Sequence, residues 1–156
     1  FIFINRLTSA DHVIFFNLIC LAFFRLTNDR NILYLISIFL IVSYFFNGIN
    51  KIKSNYWQKN NVLMDIFSTN LYGSQYISKI IGANTIISKI IVFAIIFFQI
   101  SFSLFFINFY FANFYIFGGV IFHFIIAIFM RLRDFLFAFL SSYPILLLSF
   151  YDFHSI

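Results

Sequence analysis

Long uncharged apolar runs alternate with short polar segments along the chain. An α-helix needs roughly 20 apolar residues to cross a hydrocarbon core about 30 Å thick. In lipid, only helices and closed barrels satisfy every backbone polar group internally, and runs of this length favour helices. The pattern therefore predicts five candidate membrane spans: Ala10–Leu26, Ile32–Ile49, Ile86–Asn108, Tyr115–Met130 and Phe135–Phe150.

The spans differ in how firmly the pattern defines them. The first run is short and starts at Asp11 and His12, so it either crosses the membrane or forms a re-entrant segment. The third and fourth runs are separated by an uncharged connection near Ala112–Asn113, and such a short connection predicts an antiparallel pair. Pro144 is expected to kink the fifth helix, because proline removes a backbone donor.

The segment Asn50–Thr85 has a different texture, with lysine, asparagine, tyrosine and Trp57 between shorter apolar stretches. Tryptophan and tyrosine favour the headgroup level of a membrane. We expect the segment to lie along one membrane face, with a short in-plane helix over Val62–Leu71. The predicted fold class is an all-α integral membrane protein, a bundle of four to five transmembrane helices with an interfacial segment between the second and third.

Composition supports the membrane assignment and excludes a soluble fold. The chain is 63% hydrophobic and 10% charged, whereas soluble domains are about half apolar and a quarter charged. The net charge of +5 comes from basic residues between the apolar runs, where loops meet anionic headgroups. The expected partner is thus a lipid bilayer and not a nucleic acid. The many phenylalanines and the lack of glutamate indicate an AT-rich bacterial or organellar genome.

One cluster of candidate functional residues lies at the end of the second span. If that span continues as a helix, Tyr44, Gly48, Lys51 and Asn55 share a face, and Trp57 follows. Gly48 would let another helix or a flat ligand come close beside Lys51. The alternative, which spacing alone favours, is an ordinary lysine that extends to the headgroups.

The second candidate is His123, in the middle of the fourth span and four residues after Gly119. Its two ring nitrogens require a facing polar partner or a cavity. Gln99 and Ser103 share a face of the third span and are possible partners. A purely structural histidine, satisfied by a neighbouring helix, explains the position equally well. No metal-ligand spacing, phosphate-binding loop or nucleophile elbow occurs in the sequence.

These same residues resemble the HTTM family, the transmembrane domain shared by vitamin K-dependent gamma-carboxylase and many bacterial proteins. Residues Tyr44–Trp57 follow the pattern Y-F-x-x-G-I-x-K-[LI]-x(4)-W. Residues Gly119–Leu148 follow G-x-x-x-H-x-x-I-A-x-x-M-x-L-x-x-F with a later Y-P-[IL]-x-L. The two blocks cover about a third of the chain, and they look most like the bacterial branch typified by the sporulation-delaying-protein B family.

The resemblance implies roles for particular residues. In the carboxylases the lysine of the G-x-x-K block is the base that deprotonates a reduced quinone, and Lys51 matches it. A lysine can act in this way only where burial or a nearby cation such as Lys53 favours its neutral form. The implied catalytic pair is Lys51 and His123. The implied substrate-binding residues are Tyr44, Gly48, Trp57, Gln99 and Gly119.

The resemblance also implies a domain organisation and a function. Residues 1–156 would form a single HTTM-like transmembrane domain that lacks its N-terminal helices, with a reduced quinone as a possible cofactor. Bacterial relatives help to mature or export a secreted peptide toxin in the inner membrane, together with a small protein partner. The alternative is a structural subunit of a respiratory or ATP synthase complex in the mitochondrial inner membrane, which the composition fits but the two blocks do not require.

Overall fold

The computed structural model describes residues 9–59, 61–69, 73, 75–82 and 84–155. All regular structure in these residues is helical, without a strand. The helices are α1 (Ser9–Thr27), α2 (Asn31–Lys53), α3 (Val62–Ser68), α4 (Gln75–Gly82), α5 (Thr85–Ser101) with a 3₁₀ segment (Phe102–Phe106), α6 (Phe109–Phe129) and α7 (Arg133–His154). Of these, α1, α2, α5 with its 3₁₀ segment, α6 and α7 are long and apolar enough to cross a membrane. The protein is thus an all-α, multi-pass membrane protein.

Each of the five long helices begins before the apolar run that predicted it, and α1, α2 and α7 also end later than predicted. The first run forms one continuous helix with a stretch of crossing length over Ala10–Thr27, without the break that a re-entrant turn requires. Helix α2 continues beyond Ile49 to Lys53, whereas Asn55 lies in the turn that follows. Helix α7 runs without interruption through Pro144.

The predicted connection at Ala112–Asn113 is wrong, because both residues lie inside α6. The helix begins earlier since the side chain of Asn108 accepts a hydrogen bond from the Phe111 amide at 3.0 Å and caps the first turn. The side chain of Asn113 donates instead to the carbonyl of Phe109 within the helix. The sequence contains two asparagines near the turn, and the cap is the earlier one.

The third and fourth spans contact each other mainly through the 3₁₀ segment at the end of the third span. Helix α5 packs chiefly on α2, and α6 packs chiefly on α7. The 3₁₀ segment contacts α2, α5 and α6, so it links the pair formed by α2 and α5 to the pair formed by α6 and α7. Phe98 of α5 also contacts Tyr115 and Phe122 of α6. Ile91, Ile95 and Ile125 line a cavity between the two helices.

Hydroxyl groups of α7 link this helix to two others. The Asn17 amide on α1 donates to Ser142 Oγ at 2.6 Å, and Ser37 on α2 donates to Ser149 Oγ at 2.8 Å. Ser142, Tyr143 and Ser149 are all buried, and we call them the polar seam of α7. Hydrogen bonds of this kind hold helices together where apolar surfaces gain little from leaving lipid.

Contacts at the two ends of the bundle fix which helix ends lie together. Arg30 Nη1 and Asp152 Oδ1 are 3.8 Å apart, so the start of α2 lies beside the end of α7. Lys51, Met130 and Phe135 line one cavity at the other end. The lysine-bearing segment and the arginines after α6 therefore share one end. From the positive-inside tendency, we expect this end to be cytoplasmic.

The described residues between α2 and α5 form two helices, α3 and α4, and both are too short to cross a membrane. Helices α3 and α4 pack against each other and against α5, and Ser78 Oγ donates to the Met64 carbonyl at 3.1 Å. The predicted helix over Val62–Leu71 ends at Ser68, and Leu71 lies outside the described residues. The headgroup depth of Trp57 stays a prediction.

Candidate functional site

A cavity of about 390 Å³ lies between α2, α5, α6 and α7, with α3 and Trp57 on one side. Pockets for small organic ligands typically measure about 300–1,000 Å³. Most of the lining is aliphatic or phenyl, and among the described lining residues Lys51 is the only charged one. The other lining side chains with polar atoms are Tyr44, Asn47, Trp57, Gln99 and His123.

The amine of Lys51 points back into the bundle. Its Nζ donates to Gln99 Oε1 at 3.0 Å and lies 5.0 Å from the centroid of the Trp57 ring. Gln99 is level with Gly48, one turn earlier in α2, because a Cβ built on Gly48 would lie 3.3 Å from Gln99 Cβ. Side chains on a helix lean toward the N-terminus of that helix. Because Lys51 lies near the C-terminal end of α2, its side chain leans toward the interior of the bundle. A lysine extending to the headgroups would point the other way, so the geometry disfavours that alternative.

The imidazole of His123 belongs to a buried hydrogen-bonded chain. Its Nε2 lies 2.5 Å from the Tyr44 hydroxyl, which lies 2.7 Å from the Tyr143 hydroxyl. All three residues are buried, and the Phe139 ring stacks on the imidazole with centroids 4.1 Å apart. The other ring nitrogen, Nδ1, is buried without a hydrogen-bond partner. We call these three residues the Tyr143–Tyr44–His123 chain.

The partners predicted for His123 are not the ones observed. Gln99 accepts from Lys51, and Ser103 is exposed and donates to the Ile100 carbonyl. Helix α5 changes to 3₁₀ geometry at Phe102, which alters the angular spacing and breaks the predicted shared face of Gln99 and Ser103. The cavity still brings Gln99 and His123 together as lining residues.

The two glycines predicted to bind substrate are packed against protein. A Cβ on Gly48 would lie 2.6 Å from Ile100 Cγ1, and a Cβ on Gly119 would lie 2.8 Å from Tyr143 Cζ. Gly48 therefore allows α5 to approach α2, and Gly119 leaves room for the Tyr143 side chain. Neither glycine is among the cavity-lining residues, and a role for either in making room for a substrate stays a prediction.

Three residues of the site were not singled out from the sequence. Tyr143 and Phe139 contact the histidine chain from α7, and Asn47 lines the cavity from α2. Asn47 lies three residues after Tyr44 and four before Lys51, a spacing that could have identified it. Tyr143 carries no such signal, because its role depends on how α7 packs on α2. Lys53 is exposed and does not line the cavity.

The arrangement combines an amine, an imidazole and amides in an otherwise apolar cavity. Such a site can bind an apolar molecule through a few polar atoms and can hold or transfer a proton. Within the described residues, no cluster of His, Cys, Asp or Glu could hold a metal ion.

Comparisons with known proteins do not identify a family for this chain. No family model, no curated protein and no solved structure matches it. The HTTM resemblance therefore stays a hypothesis that rests on the two sequence blocks.

Proposed function

We propose that this protein helps to mature or export a secreted peptide and that its cavity is an active site with Lys51 as the base. The observation that carries the proposal is the inward orientation of Lys51, whose amine is bonded to Gln99 in the same cavity as His123. A lysine used only for anchoring would gain more from headgroups and water. The expected small protein partner and peptide substrate follow from the HTTM resemblance.

Each polar residue has a distinct part in this proposal. Gln99 orients the Lys51 amine, and the Trp57 ring covers one side of it. His123 orients the substrate from the opposite wall. A cavity of this size takes a small molecule or a single side chain, not a folded peptide. A reduced quinone fits the apolar walls, and it would supply an acidic hydroxyl beside Lys51.

The test is the release of the mature peptide from cells that carry the gene with its neighbouring genes. Lys51→Ala and His123→Ala should each abolish the mature product, measured by mass spectrometry, with unchanged protein abundance in the membrane. Lys51→Arg should also fail, because a guanidinium stays protonated and cannot serve as a base. Lys53→Ala is the matched control and should keep the activity, since Lys53 is exposed outside the cavity.

Full activity of Lys51→Ala would overturn the catalytic proposal. The protein would then be better explained as a structural subunit of a larger membrane complex, the alternative that its composition suggested. Copurification with a stable set of partner subunits after mild solubilisation would support that alternative.

A further inference from the structure

The hydrogen-bonded chain of Tyr143, Tyr44 and His123 has a preferred direction. If Tyr143 donates to Tyr44 and Tyr44 donates to His123 Nε2, both hydroxyl hydrogens have acceptors. In the opposite direction Nε2 donates to Tyr44 and Tyr44 to Tyr143. The Tyr143 hydrogen then has no acceptor among the contacts of the described residues. The opposite direction also leaves the Nδ1 lone pair buried without a partner, so two polar groups are unsatisfied, whereas the first direction leaves only the hydrogen on Nδ1. Each buried polar group without a partner is costly in apolar surroundings, so the first direction is favoured.

This direction fixes the tautomer of the imidazole. Because Nε2 accepts, the neutral ring carries its hydrogen on Nδ1. That atom is buried and has no partner, on a residue that lines the cavity. We infer that His123 presents an N–H donor to the cavity and that the ligand carries an uncharged carbonyl oxygen that accepts from it. The inference rests on the proposed function only in taking the cavity as the ligand site.

The surroundings of His123 favour an uncharged acceptor. The imidazole is stacked on Phe139 and lies edge-on to Phe122, with centroids 5.1 Å apart. Its only hydrogen-bond partner among the described residues is the neutral Tyr44. Lys51, the charged lining residue, is already bonded to Gln99. A carboxylate beside His123 would therefore be buried without an opposite charge of its own.

The open side of the cavity indicates that the ligand comes from the bilayer. Ile91 on α5 and Ile125 and Phe129 on α6 line the cavity and are also exposed on the bundle surface. These residues lie on two candidate membrane spans, so the apolar opening between α5 and α6 faces lipid. The ligand class is thus a lipid-soluble molecule with a carbonyl group, such as an ester or a ketone.

The tautomer can be measured in the full chain in nanodiscs with ¹⁵N-labelled histidine. The sequence contains three histidines, so His123→Asn assigns the His123 signals by their loss. We expect a protonated Nδ1 and a hydrogen-bond-accepting Nε2 in the unsubstituted protein. A protonated Nε2 would overturn the inference.

The ligand class can be tested with methyl decanoate and n-tridecane, two probes with equal numbers of heavy atoms. Binding is measured by competition with an apolar fluorophore and corrected for partition into empty nanodiscs. The ester should bind about tenfold more tightly than the alkane, as expected for one buried hydrogen bond. Equal binding, no measurable ester binding, or tighter binding of the decanoate anion would overturn the inference.

Substitutions at His123 locate the donor atom. An asparagine amide nitrogen occupies about the place of Nδ1, whereas a glutamine amide nitrogen occupies about that of Nε2. His123→Asn should therefore keep the preference for the ester, and His123→Gln and His123→Phe should lose it. A folded His123→Asn protein without the preference would contradict the assignment. These measurements need no peptide. If they fail, the proposed function is still tested separately by the peptide-maturation assay.

Discussion

The substitution Gly119→Ala tests the packing that holds the histidine chain in place. The new methyl group would meet the Tyr143 side chain, with the ring carbons Cζ and Cε2 at 2.8 and 3.3 Å and the hydroxyl oxygen nearer still. Tyr143 is buried between α6 and α2, so its ring cannot turn away without opening a void. We expect the Tyr143 hydroxyl to leave its position 2.7 Å from the Tyr44 hydroxyl.

Three contributions set the size of the effect. Overpacking of a filled site costs about 1–3 kcal/mol. A buried hydroxyl that loses its partner costs about 1–3 kcal/mol. Replacing glycine by alanine inside a helix stabilises by about 0.5–1 kcal/mol. The net loss in the free energy of unfolding is therefore about 1–5 kcal/mol, with a central value of about 3 kcal/mol.

The assay is reversible unfolding by SDS in mixed micelles, with the neighbouring Gly118→Ala as control. A Cβ on Gly118 would meet only the edge of the half-buried Phe98 ring at 2.8 Å, so this control should lose less than about 1 kcal/mol. Adding Tyr143→Phe to Gly119→Ala removes the hydroxyl that collides with the new methyl group. The free energy of unfolding of the double variant should therefore exceed, by about 1 kcal/mol or more, the value expected from the sum of the two single effects. Equal stability of the two alanine variants, or strict additivity, would refute the reasoning.

Two asparagines, with a third as control, provide further stability predictions in the same assay. Asn17→Ala removes a buried interhelical hydrogen bond and should lower the free energy of unfolding by about 1–2 kcal/mol, whereas the exposed Asn113→Ala should change it by less than about 0.5 kcal/mol. Asn84→Ala removes the cap that accepts from the Ile86 and Ile87 amides and should cost about 1 kcal/mol. Amide hydrogen exchange should become faster in the first turn of α5, and an unchanged rate there would contradict the capping role.

The membrane spans could be predicted because each apolar run must satisfy the same local requirement in lipid. The point where α6 begins could not, because Asn108 and Asn113 are both able to cap a helix and the choice depends on backbone geometry. The packing of α5 on α2 was also beyond the sequence. It depends on Gly48 meeting Ile100, a contact between residues far apart in the chain.

The placement of Lys51 and His123 in one cavity was predicted from the high cost of isolated polar groups at membrane depth. Their hydrogen-bond partners were not predicted correctly, because a partner is decided by which helices become neighbours. Tyr44, which was expected to bind substrate, lines the cavity and also holds the imidazole. Tyr44 also contacts Tyr143 on α7. The spacing of residues within α2 does not predict which helix packs against it.

The polar seam of α7 has a consequence for how the protein is made. Helix α7 follows the other four spans in the chain, so Asn17, Ser37 and Tyr44 are synthesised well before the seam residues that they contact. During that interval their polar groups need water, another protein or each other inside the membrane. We therefore expect the first spans to stay associated with the insertion machinery until α7 arrives, and a ribosome stalled before Ser142 to leave a nascent chain that crosslinks to that machinery.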